Sequence, residues 1–460
     1  MEDVGLILRK ELSAVHKAAA IISLAAYVLI ETVTPRAAAG DVETDVSVAN
    51  DPTAVQQSAE WPQWCGRQDR NMVSGATGLP DGFDQVCGPK PDVGRLRNVK
   101  WAARLGEAVY GSPVVAGGRV YIGGCESGMG RDDAIGVLWC FRQSDGGLLW
   151  RLRSPYIAGL YNRSFGITST PTVEGDRVYL LGHLGEVLSL NVNGLAKGNS
   201  GPFQDEEALL ALGREKLKEE LAPDGNRILE YSHGTPGKLD FTDADIVWRF
   251  DMIKEVRCWP FNAQNAALLI RGDRLYVPTC SVFDRRPGEG PTVVPPEEWK
   301  KKYHRKTYDS PNIIVLDKHT GTGDITPTGK VWSLDTIRSS SSTVAIADGL
   351  LYTADASGMV YCLDADTGRV YWTHQTSPGW ASPLVADGKV FLPTYNAGLL
   401  VMATGKQRRI ISQSPSQSHM VSSPAVANGV VYVANQKYLY ALQRRPTGAK
   451  TEHAASPVHQ

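Results

Sequence analysis

The stretch VYCLDADTGRVYWTH, residues 360–374, decides the fold. An apolar run meets Asp364, a Thr-Gly pair follows, and Trp372 comes four residues after Gly368. Alone it reads as a ligand loop or as a strand, a reversal and a second strand. Its copies elsewhere in the chain choose the second reading.

The unit recurs six times. It opens on Ser or a small residue, often followed by Pro, and continues as an apolar run, a Gly or Asp-Gly turn and a run like VYI. A third apolar run comes next, then a fourth carrying Trp. Unit 1 occupies 111–124 and 136–152, unit 2 169–190 and 245–250, unit 3 265–280, 312–321 and 330–335. Units 4, 5 and 6 occupy 341–374, 381–412 and 422–443. Four short strands in a repeat of about 40 residues describe a β-propeller blade. The expected class is therefore all-β, a propeller of four-stranded blades, with six units counted. Unit 6 shows three strands, and VKWAARLG (99–106) is an orphan fourth strand ahead of unit 1. Placing it in the last blade closes the ring and removes both sheet edges.

In this frame VYCLD is the third strand of unit 4 and RVYW the fourth. Gly368 supplies the positive φ of the reversal, and Asp364 and Asp366 accept hydrogen bonds from its amides. Trp372 matches Trp101, Trp150, Trp248 and Trp332, with Ile410 in that place in unit 5. One Trp per unit at one position reads as a docking residue between blades.

Two insertions interrupt the repeats, at 193–244 and 283–310. In the first, DEEALLALGREKLKEEL (205–221) spaces Leu210, Leu217 and Leu221 as a surface helix. The second leads into the basic KKKYHRK (300–306), a solvated loop or a contact for an anionic glycan or partner.

Lys plus Arg number 48 and Asp plus Glu 49, a net charge of −1 that argues against a nucleic-acid binder. Arg9, Lys10 and Lys17 precede an apolar segment, 18–30, and Ala37 and Ala39 fit a small-x-small cleavage rule. Residues 1–39 read as an export signal, so the protein is expected in the periplasm, outside the cell or in the envelope. Membrane contact is expected only if that segment stays uncleaved. Residues 40–60 read as a flexible tether, 61–98 as a segment packed on the propeller, 99–445 as the propeller and 446–460 as a disordered tail. Seven cysteines leave an odd thiol. Cys65 with Cys87, and Cys258 with Cys280, are candidate pairs, while Cys140 and Cys362 read as small buried hydrophobes.

The Ser-x-Pro starts, the GDRVYL strand (175–180) and the CLDADTG…W half-unit resemble pyrroloquinoline-quinone-like (PQQ-like) repeat propellers. WPQWCGRQDRNMVSGATGLP (61–80) is similar to the N-terminal signature of exported members, with Cys65 and Arg67 departing from it. The resemblance covers most of residues 61–443 and implies seven or eight blades where six are counted. The family contains quinoprotein dehydrogenases and an envelope assembly lipoprotein. Its enzymes imply PQQ and Ca²⁺ on the axis, with a stacking Trp, an adjacent-cysteine disulfide and oxygen ligands.

The adjacent cysteines are missing here. Glu126, Asp132 and Asp133 are the acidic group nearest to a ligand set. No nucleophile elbow, zinc motif or phosphate loop is present, and His183 and His374 lie near loops. The residues themselves require no cofactor. The leading expectation is a non-enzymatic platform for protein interaction or ligand binding, with a protein or glycan as partner; a PQQ-dependent oxidoreductase of alcohols or sugars and an envelope assembly factor are the alternatives. The candidate contact set comes from loops on one face: Tyr110, Arg163, Trp259, Arg338 and Trp380 between units, and Glu126, Asp355, Asn396 and Asn435 within them. Aromatic and Arg enrichment is characteristic of contact hot spots.

Overall fold

The computed structural model describes residues 60–86, 93–127, 134–155, 165–211, 218–221, 227–230, 239–252, 255, 267–278, 313–316, 329–337 and 340–445. The export signal, the tether up to residue 59 and the tail lie outside this set.

Within it the chain is a β-propeller built almost wholly of strands. Unit 1 is a four-stranded antiparallel sheet of Val114–Ala116, Arg119–Ser127, Ile135–Arg142 and Leu148–Pro155. Unit 2 uses Thr172–Glu174, Arg177–Leu181, Glu186–Asn191 and Ile246–Asp251; unit 4 uses Ala345–Ala347, Leu350–Ala354, Met359–Asp364 and Val370–Gln375. Unit 5 uses Leu384–Ala386, Lys389–Thr394, Gly398–Ala403 and Ile410–Ser414. In unit 6, Ala425–Ala427, Val430–Ala434 and Tyr438–Leu442 are joined by Val99–Arg104, the strand from the N-terminal side. The two ends of the propeller sequence are thus locked into one sheet. Unit 3 is described as two hairpins, Leu269–Arg271 with Arg274–Tyr276 and Ile313–Leu316 with Lys330–Leu334.

The turns follow from their sequences. In the first hairpins of units 4, 5 and 6, Asp348-Gly349, Asp387-Gly388 and Asn428-Gly429 all have positive φ. Tight two-residue hairpins demand that, and Asp, Asn and Gly tolerate it best.

First strands of neighbouring units lie against one another and so line the axis. A series of hydroxyls links them, and this explains the Ser or Thr at the start of units 1, 2, 4, 5 and 6. The amide of Thr343 donates to Ser382 Oγ (2.9 Å), that of Ser382 to Ser423 Oγ (2.8 Å), that of Ser423 to Ser112 Oγ (3.1 Å) and that of Ser112 to Thr170 Oγ1 (3.1 Å). The series runs from unit 4 through 5, 6 and 1 to 2. Unit 3 has Ala267 where unit 2 has Thr170, and there Thr172 Oγ1 donates instead to the Leu268 carbonyl (2.9 Å).

The tryptophans form a second set of links. The indole N–H of Trp101 donates to Gln143 O, that of Trp150 to Val192 O, that of Trp332 to Ala365 O and that of Trp372 to Gly405 O, each at 2.9–3.0 Å and each in the next unit. Those four side chains are buried; Trp248 is half-buried. Gly368 serves two purposes. Its φ is +71°, and a Cβ there would stand 2.5 Å from the Trp332 ring, so only glycine admits the preceding unit's tryptophan.

The register corrects the reading of unit 5. Trp372 pairs with Cys362, and the matching pair is Ser412 with Val401, so Ser412 holds the tryptophan position and Ile410 matches Val370. One more residue separates Val401 from Ser412 than separates Cys362 from Trp372, which displaces the alignment.

Two other expectations change. Among the described residues the insertion has a helix at Glu206–Ala211, and Lys218–Leu221 is a strand paired with Arg227–Glu230 rather than part of that helix. Gly213 costs a helix about 1 kcal/mol, and Pro223-Asp224-Gly225 between the strands has turn composition. Cys65 is a buried free thiol rather than half of a bridge to Cys87. Burial pushes its pKa up to about 12. Cys140 and Cys362 are buried and free, as expected of small core residues. Cys87, Cys258 and Cys280 lie outside the described residues, as does the basic loop 300–306.

Residues 60–74 cross the axis at the end carrying the turns between first and second strands. Trp61 exchanges both backbone hydrogen bonds with Val115, Pro62 O accepts from Val173 N (2.8 Å), and Val73–Ser74 adds a parallel strand to unit 5. The Asn71 side chain donates to Ile346 O and accepts from Ile346 N, both at 2.9 Å, imitating a strand neighbour. The inner edges of units 1, 2, 4 and 5 are satisfied by the chain itself.

Candidate functional site

Antiparallel connectivity puts the turns between second and third strands at the same end as the connections between units. That end is opposite the axial segment, and the described candidate residues of the sequence come from it.

Its described part carries a row of aromatic rings. Trp380, on the connection into unit 5, packs edge-on against Tyr395 in the unit 5 turn at 5.3 Å between centroids. Tyr395 stacks on His419, on the connection into unit 6, at 3.7 Å and 11°. His419 Nδ1 lies 3.2 Å from the Tyr395 carbonyl. Gln436 continues the row: its amide donates to His419 O (3.1 Å), and its side chain accepts from Val109 N (2.6 Å) and donates to Val109 O (3.2 Å). That pairing fixes the neighbouring Tyr110, whose ring meets Phe165 edge-on at 5.1 Å. Burial is the first cause pushing the Tyr110 hydroxyl up to about 12, so it stays a neutral donor. Trp380, Tyr395, Tyr110 and Phe165 are half-buried, and His419 and Asn396 are exposed.

Tyr110 and Trp380 were singled out from the sequence. Tyr395, His419 and Phe165 were not. Tyr395 had a visible signal, an aromatic residue in the turn where unit 4 has the small residues of DASG. Asn396 lies beside Tyr395, and its amide donates to Ser377 Oγ (3.0 Å).

The other candidates are engaged locally. Asp355 Oδ1 accepts from the Ser357 amide (2.9 Å), the Ser357 hydroxyl (2.6 Å) and the Met359 amide (3.0 Å), and Oδ2 from the Tyr361 hydroxyl (3.1 Å). Asn435 Oδ1 accepts from the amides of Lys437 and Tyr438, at 2.9 and 2.8 Å. Both side chains shape their own turns. Glu126 pairs with Arg151 at 2.5 Å. Arg163, Trp259 and Arg338 lie outside the described residues, as do Asp132 and Asp133.

Unit 2 departs from this pattern. Its turn has Gly182 at the place of Asp355, and a Cβ there would meet the Glu186 carboxylate. Glu186 lies directly opposite Asp251, which pairs with Arg249 at 3.1 Å. Glu186 is fully buried, and no side chain donates a hydrogen bond to its carboxylate among the described residues. Burial raises its pKa to about 7, Arg249 opposing and Asp251 adding to the shift. His183 in the same turn is buried and held neutral, its pKa lowered to about 4 by burial. His374 sits on the outer strand of unit 4, half-buried.

Among the described residues the candidate oxygen donors do not assemble a quinone–Ca²⁺ centre. The carboxylates of Glu126 and Asp355 and the amide oxygen of Asn435 are committed to protein partners, and Asp251 to Arg249. No cluster of three or more His, Cys, Asp or Glu side chains is placed to hold a metal ion among the described residues.

The family model described as outer membrane protein assembly factor BamB matches residues 68–199 and 322–457, together over half of the chain. Similar solved structures include BamB from Moraxella catarrhalis, with 14% identity, 78% of this chain and 99% of that one covered, and a TM-score of 0.31. They also include the quinohemoprotein alcohol dehydrogenase from Comamonas testosteroni (12% identity, 87% and 83% covered, TM-score 0.40). No protein of curated function matches. On the family match, the chain belongs to the BamB family of outer membrane protein assembly factors.

Proposed function

We propose that the protein is an exported, non-enzymatic platform in envelope protein assembly, and that it takes a partner protein on the face carrying Trp380, Tyr395, His419, Tyr110 and Phe165. One observation carries this reading. The aromatic rings lie in a row tied together by the hydrogen bonds of Gln436 to His419 and Val109, while the side-chain oxygens of Asp355 and Asn435 are bound within their own turns. Rigid aromatic anchors bind with little entropy cost and suit a protein partner. The family description supports assembly as the setting, and the N-terminal segment supports export.

The test is a pull-down from envelope extract with the purified chain and with Trp380→Ala. The expected result is recovery of an assembly component by the unaltered chain and at least a tenfold loss with the variant. Stoichiometric uptake of PQQ in the presence of Ca²⁺, with dye reduction driven by alcohols, would overturn the reading.

A further inference from the structure

Four of the slots between consecutive units are filled by a fourth-strand tryptophan whose indole bonds to the next unit. The slot between units 5 and 6 is different on both sides. Unit 5 offers Ser412, and in unit 6 the turn between third and fourth strands is interrupted, because Tyr438–Leu442 and Val99–Arg104 come from opposite ends of the propeller sequence. Residues 79–86, LPDGFDQV, lie there instead, in neither helix nor strand.

The slot reads this segment atom by atom. The Leu79 amide donates to the Asp387 carboxylate (2.9 Å), and the Leu79 carbonyl accepts from Lys389 (2.9 Å) and Arg444 (3.2 Å). Ser412 donates its hydroxyl to the Asp81 carbonyl, and Arg444 stands 3.6 Å from the Asp81 carboxylate. Asn98 Nδ2 donates to the Gly82 carbonyl (2.8 Å), the Phe83 amide donates to Ser414 Oγ (3.0 Å) and the Val86 amide to the Tyr440 hydroxyl (3.3 Å). Leu79, Phe83 and Val86 are buried, and the Phe83 ring lies 5.0 Å from Tyr440. Between this segment and the axial strand, Gly75, Thr77 and Gly78 are exposed, and a Cβ on Gly78 would meet nothing within 4 Å.

We infer that the cleft between units 5 and 6 is a peptide-binding site filled in cis by residues 79–86, and that it takes an extended segment of the form Leu-Pro-Asp-Gly-Phe from another chain when the cis segment lifts out. The contacts are those of peptide recognition, with main-chain bonds for affinity and side-chain pockets for specificity. Arg444 favours the acidic residue, Lys389 holds the Leu79 carbonyl, and Tyr440 packs on the aromatic anchor. The exposed Gly-rich hinge lets the segment leave without disturbing the axial strand. This site is separate from the aromatic face.

The probe is a fluorescent peptide of residues 78–86, titrated by anisotropy against the full chain, Phe83→Ala and Phe83→Ala/Ser412→Trp. The inference expects saturable binding to Phe83→Ala, at least tenfold tighter than to the unaltered chain, whose cleft is full. Ser412→Trp restores the missing indole and is expected to remove that binding, as is replacing the peptide's own Phe by Ala. Absence of binding by a folded Phe83→Ala chain overturns the inference. Should that variant not fold, amide exchange in the unaltered chain decides. Phe83 and Val86 are expected to exchange at least tenfold faster than the central-strand amides of Leu400 and Val433; equal rates overturn it.

Discussion

At the residue scale, Trp372 shows why so much of the ring is specified by a few side chains. It is buried, lies 6.1 Å from Tyr352 on its own sheet, and bonds to Gly405 in the next unit at 2.9 Å. Trp372→Ala is expected to cost about 3–5 kcal/mol in chemical denaturation, as for a large core truncation; a loss under about 1 kcal/mol would contradict its docking role. Glu186 is the opposite case, a buried acid whose proton matters. Its folded pKa of about 7 lies above its unfolded value, so the native state holds the proton more tightly. The stability this gives is fully present below about pH 4.5 and is lost as pH rises through 7. Glu186→Gln keeps the neutral form at every pH and should stabilise the chain at pH 8 by on the order of 2–3 kcal/mol, with little gain at pH 4. A denaturation series at the two pH values checks the sign. Repetition made the tryptophans legible in the sequence. Glu186 was not, because its environment is assembled by Gly182 and by Asp251 across the sheet.

At the element scale, each blade is set by short strands and by turns whose residues accept positive φ. These signals are local, so the strands of units 1, 2, 4, 5 and 6 can be read from the sequence, and so can the pairing of 99–104 with unit 6. Two kinds of element escaped such reading. The strand pair at 218–221 and 227–230 is written in residues with good helix propensity, and pairing overrides propensity there. The hydroxyl series is invisible because its partners are about 40 residues or more apart; only the recurrence of Ser or Thr hinted at it. Ser423 is its clearest member, accepting from Ser382 and donating its own amide to Ser112. Both serines it joins are buried. Ser423→Ala leaves the Ser382 amide without its acceptor and is expected to cost about 1–3 kcal/mol. A melt indistinguishable from that of the unaltered chain would show that the series adds nothing.

At the scale of the whole molecule, the two ends of the propeller are not equivalent. Residues 60–74 close the axis at one end by satisfying inner strand edges, and at the other end aromatic side chains from units 1, 5 and 6 and their connections form a row. The sequence indicated the face, since propeller loops gather there, and it indicated Tyr110 and Trp380. It did not separate those from Asp355 and Asn435, because an Asp or Asn in a turn looks the same whether it points at a ligand or at its own backbone. The asymmetry gives the most direct test of the account. A photo-crosslinking residue would be placed in intact cells at His419 or Asn396 on the aromatic face, and at Leu148, an exposed side chain at the opposite end. The account predicts a discrete protein adduct from positions 419 and 396 and none from 148; an adduct from 148 alone, with none from the aromatic face, would contradict it.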